Sequence, residues 1–279
     1  MLKQVASVFA VPSLILAAVW PGKGRRERMK AFARQPIAHR GFHDNKGPAP
    51  ENSMAAYRKA VERGYGIELD VRESADGKLF CMHDRNLLRA CGVDRKADQL
   101  TWRQLRKLRL FSSEERIPLL RDVLTMVDGS VPIIMEVKAE NLQMARSVSR
   151  KAARLLDAYE GEVCMESFHP AAVFWFRMSR PEIPRGQLSE RFRGYAFPFA
   201  AGTFFLSFCA FNFLTKPDFI AYNVTHRGLL RFRLQHSLFH AVCAAWTVKS
   251  EEEMKQAASA FDIIIFEGFE PPLTRSCGS

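Results

Sequence analysis

The sequence predicts an α/β protein of the (β/α)8 TIM-barrel class, with a small insertion and an N-terminal membrane-anchor helix. Three observations predict it. From Ile37 onward short apolar runs alternate with helical stretches, the pattern of βαβ units. Eight such runs fall within about 240 residues, the content of one barrel. Several of them end in polar groups, His39-Arg40, Glu68/Asp70, Glu136/Lys138 and Trp246, where a barrel presents its chemistry.

The first element is Val5–Trp20, free of charge and broken by Pro21-Gly22. Lys23, Arg25, Arg26, Arg28, Lys30 and Arg34 follow, whereas only Lys3 precedes it. A cleaved signal peptide has the opposite charge order. The reading is a single-pass anchor at the cell membrane with the catalytic domain in the cytoplasm. Its helix would cover roughly 24 Å of a ~30 Å hydrocarbon core, and Met1–Gln4 or a thinner bilayer closes the gap. The chain thus divides into an anchor over 1–22, a basic linker over 23–36 and a barrel over 37–279, with an insertion at about 85–130.

The first strand ends at Ile37–Gly41, and Glu51–Arg63 follows as a helix capped by Asn52 or Ser53 and stopped by Gly64. Ile67–Val71 and Leu79–Met82 flank Asp76-Gly77, a hairpin signal. A two-residue turn there sets Ala75 opposite Lys78 and Asp70 opposite His83. Strand alternation sends Glu68 and Asp70 out by one face. Two acids among Ile67, Leu69 and Val71 repel and desolvate badly unless a cation or water joins them.

Helices are expected at Thr101–Leu108, Leu120–Val127 and Asn141–Tyr159. Strands are expected at Val131–Lys138, Glu162–Phe168, Arg185–Leu188, Asp218–Asn223, Ala241–Val248 and Phe261–Glu267, with Leu79–His83 as an antiparallel arm. Tyr195–Thr215 carries no charge and is rich in Phe, with Pro198 and Gly202 inside it. It reads as a crossover whose excess apolar surface lies against the bilayer. Six cysteines show no C-x-x-C and read as reduced core residues. The net charge of +11 fits a phosphate-bearing substrate or an anionic membrane surface. No stacking motif or nucleic-acid fold accompanies it, so nucleic acid is not expected. His169, His226, His236 and His240 lack carboxylate neighbours at ligand spacing and read as structural or surface residues.

Glu68, Asp70 and Glu136 offer hard oxygen ligands suited to Mg²⁺ or Ca²⁺. His39 and His83 suit an acid–base pair, since imidazole titrates near neutral pH. Arg40 and Lys138 can hold a phosphoryl group.

His39-Arg40-Gly41, Pro50-Glu51-Asn52-Ser53, Gly66-x-Glu68-x-Asp70-Val71, Asp76-Gly77, His83-Asp84, Glu136-x-Lys138 and Ala245-Trp246-Thr247-Val248 resemble the motifs of the glycerophosphodiester phosphodiesterases, from about Ile37 to Phe269. The resemblance implies hydrolysis of glycerophosphodiesters to glycerol 3-phosphate and an alcohol with a divalent cation. It makes Glu68, Asp70 and Glu136 the metal ligands, and His39 and His83 the general base and acid. Arg40 and Lys138 would bind phosphate, Asn52 would steady the substrate site and Trp246 would wall it. The nucleophile is water or the substrate's own glycerol 2-hydroxyl, which would give a cyclic phosphate. A lysophospholipase D acting on membrane lysophospholipids and a non-catalytic protein binding anionic lipid are the alternatives. Lys249 and Phe266-Glu267-Gly268 depart from the resemblance; they are expected away from the metal and acid–base groups, bearing on substrate choice.

Overall fold

The apolar runs fold as strands, and helices return the chain to start each next one. The computed structural model describes residues 19–21, 26–190, 211–228 and 230–273. Its strands are β1 (Ile37–Ala38), β2 (Gly66–Glu73), β3 (Leu79–Cys81), β4 (Ile133–Val137), β5 (Val163–Ser167), β6 (Arg185–Ser189), β7 (Phe219–Asn223), β8 (Val242–Val248) and β9 (Ile263–Phe266). They follow the order β1-β9-β8-β7-β6-β5-β4-β2-β3, and β1 also pairs with β2. That extra pairing closes eight parallel strands into a barrel, with β3 antiparallel on the far end of β2. The predicted barrel and its arm are therefore present.

Alternation divides the strands between two cores. Ile67, Leu69, Val71, Ile133, Met135 and Val137 pack outward, joined by helix residues such as Val148, Ala152 and Phe176. Ile37, Ile134, Cys164, Phe219, Val242 and Ile263 fill the interior. Met29 and Phe32, from the helix Arg26–Ala33, join that interior cluster. The basic stretch expected as a linker is thus partly a helix. Its apolar residues stand at i and i+3 and are removed from water, worth on the order of 2 kcal/mol each. Its arginines stay outside, Arg26 on Asp262 and Arg28 on Asp218.

The hairpin departs from the expected register by one residue. Val71 faces Cys81 and Glu73 faces Leu79, so Ser74 closes the loop on Lys78 and three residues turn rather than two. Gly77 has φ +79° while Asp76 does not enter the left-handed region, which a two-residue I′ turn requires of both. Ser74 Oγ secures the longer loop, accepting from the Lys78 N–H and donating to Asp76. Asp70 consequently faces Met82, whose N–H donates to its carbonyl, and His83 lies just past the strand.

Ser53 caps the helix Met54–Glu62, its Oγ accepting from the Ala56 N–H, and Gly64 follows at φ +70°. The insertion packs a core of its own, Phe80, Leu87, Leu100, Leu105 and Ile117 among its members. The helix Leu120–Val127 instead buries Leu120, Val123 and Leu124 against the barrel. Thr101–Leu108 shortens to one turn, Trp102–Leu105, closed by a Thr101–Gln104 capping box. Cys81, Cys91 and Cys164 are free thiols, the first and last buried as expected of core cysteines and Cys91 half-buried. Most of Val5–Trp20 and of Tyr195–Thr215 lies outside the described residues. Among the described residues no helix is long and apolar enough to cross a membrane.

Candidate active site

Parallel register brings the acids together. Asp70 on β2 pairs with Glu136 on β4, and Glu136 with Glu166 on β5, so three carboxylates stand side by side at one level. Glu68 sits two residues below Asp70 on the same face. Glu68, Asp70 and Glu136 each place an oxygen within 4.8 Å of the other two. All four acids are buried.

Lys138 and Arg40 answer part of that charge. Lys138 Nζ lies 2.9 Å from Asp70 Oδ1 and 2.8 Å from Glu136 Oε2. Arg40 reaches Asp70 Oδ2 at 3.3 Å and Glu51 at 2.8 Å, and its backbone N–H donates to Glu68 Oε2 at 2.9 Å. Arg40 adopts φ +55° for this, at the sharp exit from β1. Gly41 follows at φ +80°, and a Cβ there would come within 2.8 Å of the Ala56 backbone, so both the turn and the close approach call for glycine.

Burial would raise Asp70, but Lys138 and Arg40 outweigh it and hold the carboxyl well below the usual range. Burial and the neighbouring acids push Glu68 well up instead. Burial and Glu136 do the same to Glu166. Negative charge is thus in excess of what the two side-chain cations satisfy. The donors are oxygens, with no thiolate among them, and this set suits a hard divalent cation held by Glu68, Asp70 and Glu136.

Both histidines border the acids. His39 Nε2 is 3.9 Å from Glu68 Oε2, and His39 and His83 line one cavity of about 540 Å³. Lys138, Arg40 and Trp246 line that cavity with them. The Trp246 ring stands edge-on to Phe168 at 5.7 Å, and its buried Nε1 has no hydrogen-bond partner among the described residues. Asn52 lies behind the cavity rather than in its lining. Its Nδ2 donates to Asp70 Oδ2 at 2.8 Å, and its Oδ1 accepts from the Tyr57 hydroxyl and the Asp70 N–H. Asn52 therefore steadies the Asp70 carboxylate.

Three residues of the site carry less obvious signals. Glu166 interrupts an apolar strand as Glu136 does, and that likeness was the available cue. His43 lines the cavity and shows no sequence signal beyond its nearness to His39. Glu267 overturns an expectation, because its Oε2 lies 2.6 Å from His39 Nδ1 and its Oε1 2.9 Å from Lys249 Nζ. Of the two departures from the family pattern, Glu267 therefore touches His39 directly and Lys249 reaches it through Glu267. The cause is barrel closure, which pairs Ala38 with Phe266 and sets the next residues side by side. His169 is structural as expected, its Nδ1 accepting from the Ala171 N–H.

A glycerophosphodiester phosphodiesterase of Bacillus altitudinis is 31% identical over 157 residues, 53% of this chain and 63% of its own length. Human glycerophosphodiester phosphodiesterase 1 is 30% identical over 169 residues, 57% of this chain and 48% of its own. The chain spans between about half and two thirds of the length of these curated relatives. An Oleispira antarctica phosphodiesterase, solved with the product sn-glycerol-3-phosphate, superposes with a TM-score of 0.67 at 20% identity, over 84% of this chain and 92% of its own. A glycerophosphodiester phosphodiesterase from Parabacteroides distasonis superposes at 0.65 and 19% identity, over 83% and 92%. These likenesses show the shared fold. Residues 39–263 match the model of the glycerophosphoryl diester phosphodiesterase family, and the chain belongs to that family.

Proposed function

We propose that the cavity hydrolyses glycerophosphodiesters to glycerol 3-phosphate and an alcohol, with a divalent cation, Mg²⁺ or Ca²⁺, held by Glu68, Asp70 and Glu136. The observation that carries this reading is the convergence of three acids from two strands beside two imidazoles. A divalent cation held there would polarise a phosphoryl oxygen and offset charge gathering on it. Arg40 and Lys138 would face the same oxygens, with the Trp246 ring as part of the wall. One histidine takes the proton from the attacking oxygen, a new P–O bond forms, and the bond to the leaving alkoxide breaks as the other histidine protonates it. Burial lowers the His39 pKa and suits that ring to the accepting role.

Purified protein incubated with glycerophosphocholine or glycerophosphoglycerol is expected to release glycerol 3-phosphate when Mg²⁺, Ca²⁺ or Mn²⁺ is supplied. Chelation should stop release and re-addition should restore it. Silence toward every diester, with or without metal, would leave an anionic-lipid-binding role in its place. Faster turnover of lysophospholipids than of deacylated diesters would move the reading to a lysophospholipase D.

We also propose that the chain is anchored to the cell membrane through Val5–Trp20, with the barrel on the cytoplasmic side. Support comes from the sequence, where the charge-free run is followed by Lys23, Arg25, Arg26, Arg28, Lys30 and Arg34 and preceded by Lys3 alone. Full-length protein is expected to stay in the membrane fraction after carbonate washing. Quantitative release by that wash would remove the proposal.

A further inference from the structure

The site holds its two histidines by one device. His83 Nδ1 lies 2.7 Å from Asp84 Oδ1, and Arg89 Nε donates to the other oxygen of Asp84 at 2.6 Å. His39 Nδ1 lies 2.6 Å from Glu267 Oε2, and Lys249 Nζ sits 2.9 Å from Oε1 of the same carboxylate. Each arm runs imidazole, carboxylate, cation. In the first arm the carboxylate is the next residue in the chain. In the second it arrives from the last barrel strand, 228 residues away.

We propose that Glu267 is a positioning residue for His39, and that Lys249 holds Glu267 to the task. The proposal rests on the diester hydrolysis inferred above. A carboxylate only accepts, so Nδ1 carries the proton and the neutral ring keeps its lone pair on Nε2. Nε2 is the nitrogen turned toward Glu68 and the cavity. A ring freed from Glu267 can change tautomer or rotate, and either takes the lone pair away from the reacting centre.

The backbone makes the contact rigid. The His39 N–H donates to the Phe266 carbonyl at 2.9 Å, so β1 and β9 fix the two residues at one separation. The carboxylate and the ring are largely buried, with 23% and 15% of their side-chain surface exposed. The Lys249 side chain, at 67%, is mostly in water. Its backbone is anchored by an N–H bond to Glu253 at 2.8 Å, which keeps the ammonium over Glu267. Glu267 is therefore the main support of the ring and Lys249 an auxiliary one.

The test uses the full chain and its Glu267→Ala, Glu267→Gln, Lys249→Ala and Glu267→Ala/Lys249→Ala variants. Steady-state kinetics on glycerophosphocholine with saturating divalent cation are combined with ¹⁵N NMR of the His39 ring, assigned by its loss in His39→Gln. Glu267→Ala is expected to lower kcat by about 10²-fold with KM changed less than about threefold. Glu267→Gln, which retains an oxygen acceptor of the same reach, should recover about tenfold of that loss and keep the Nδ1–H tautomer. Lys249→Ala should lower kcat by about three- to tenfold, and by nothing further in the Glu267→Ala background, because its effect passes through Glu267. A kcat within twofold of wild type in Glu267→Ala, an unchanged His39 tautomer in that variant, or a Lys249 effect that persists without Glu267 would each overturn the proposal. A wild-type protein inactive on all diesters would instead refute the functional reading, and the ring spectra of the variants would still decide whether Glu267 sets the tautomer.

Discussion

His39→Ala and His83→Ala are each expected to lower kcat by about 10²–10⁴-fold while the protein folds normally. Folding survives because neither substitution strands a buried charge. Without the His39 ring, Glu267 keeps Lys249; without the His83 ring, Asp84 keeps Arg89. The rings themselves are partly open, His83 more than His39, and neither belongs to a hydrophobic core cluster. KM should change little if, as proposed, phosphate charge is met by Arg40 and Lys138, which line the cavity, rather than by the imidazoles. The doubly substituted protein should be barely slower than the worse single variant, because an acid without its base already cannot complete the transfer. Stopped-time assays for released glycerol 3-phosphate, alongside thermal melts, decide it. Near-wild-type turnover in either single variant, with the melt unchanged, would remove that ring from the mechanism.

Much of this site could be read from the chain, and the parts that could not have specific reasons. Glu68 and Asp70 were legible because alternation alone puts them on one face, whatever the partner strand. Glu136 was legible as an acid inside an apolar run, and Glu166 presents the same signal in Val163–Ser167 but sits in no recognisable motif. The hairpin was visible at Asp76-Gly77, yet a glycine at positive φ serves a two- or a three-residue turn equally well. Only the hydrogen bonds of Ser74 select the longer one.

Glu267 shows a different limit. Its distance from His39 in sequence hides a contact that barrel closure imposes, since the first and last strands of a closed barrel are neighbours. Eight strands were predicted, so the neighbourhood was implicit; which residue beyond each strand end would meet its counterpart depends on stagger, which spacing does not specify. Arg40 and Lys138 illustrate the same point from the other side. Their charge was legible, but their present partners, Glu51 and Asp70 for one and Asp70 and Glu136 for the other, follow from register.

Glu68→Gln and Asp70→Asn should shift the stability of the metal-free protein in opposite directions while both abolish turnover. Burial and the charges of Asp70, Glu136 and Glu166 raise Glu68 well above the ordinary glutamate range. A group so raised binds more protons folded than unfolded, so its ionised form costs stability as pH rises past that range. Glutamine removes the charge, keeps an oxygen for the Arg40 N–H, and should raise the metal-free melting temperature at neutral pH by about 2–4 °C, of order 1 kcal/mol. Asp70 is the reverse case. Burial acts to raise it, but Lys138 and Arg40 hold it well below the ordinary range, so its contribution is present above that range and disappears on acidification. Asparagine leaves Lys138 with Glu136 as its one carboxylate and sets an amide NH2 against a donor, Lys138 Nζ or Asn52 Nδ2, a loss on the order of 3–5 kcal/mol that should narrow as pH falls. Saturating divalent cation should then stabilise the wild type and neither variant, because binding to the folded state alone raises its melting temperature by mass action. Melts with chelator and with cation, at several pH values, read all of this. Two variants that move together without metal would overturn the opposed charge environments assigned to the two acids, and a Glu68→Gln protein that both gains stability from the cation and turns over substrate would show that these acids do not share an ion.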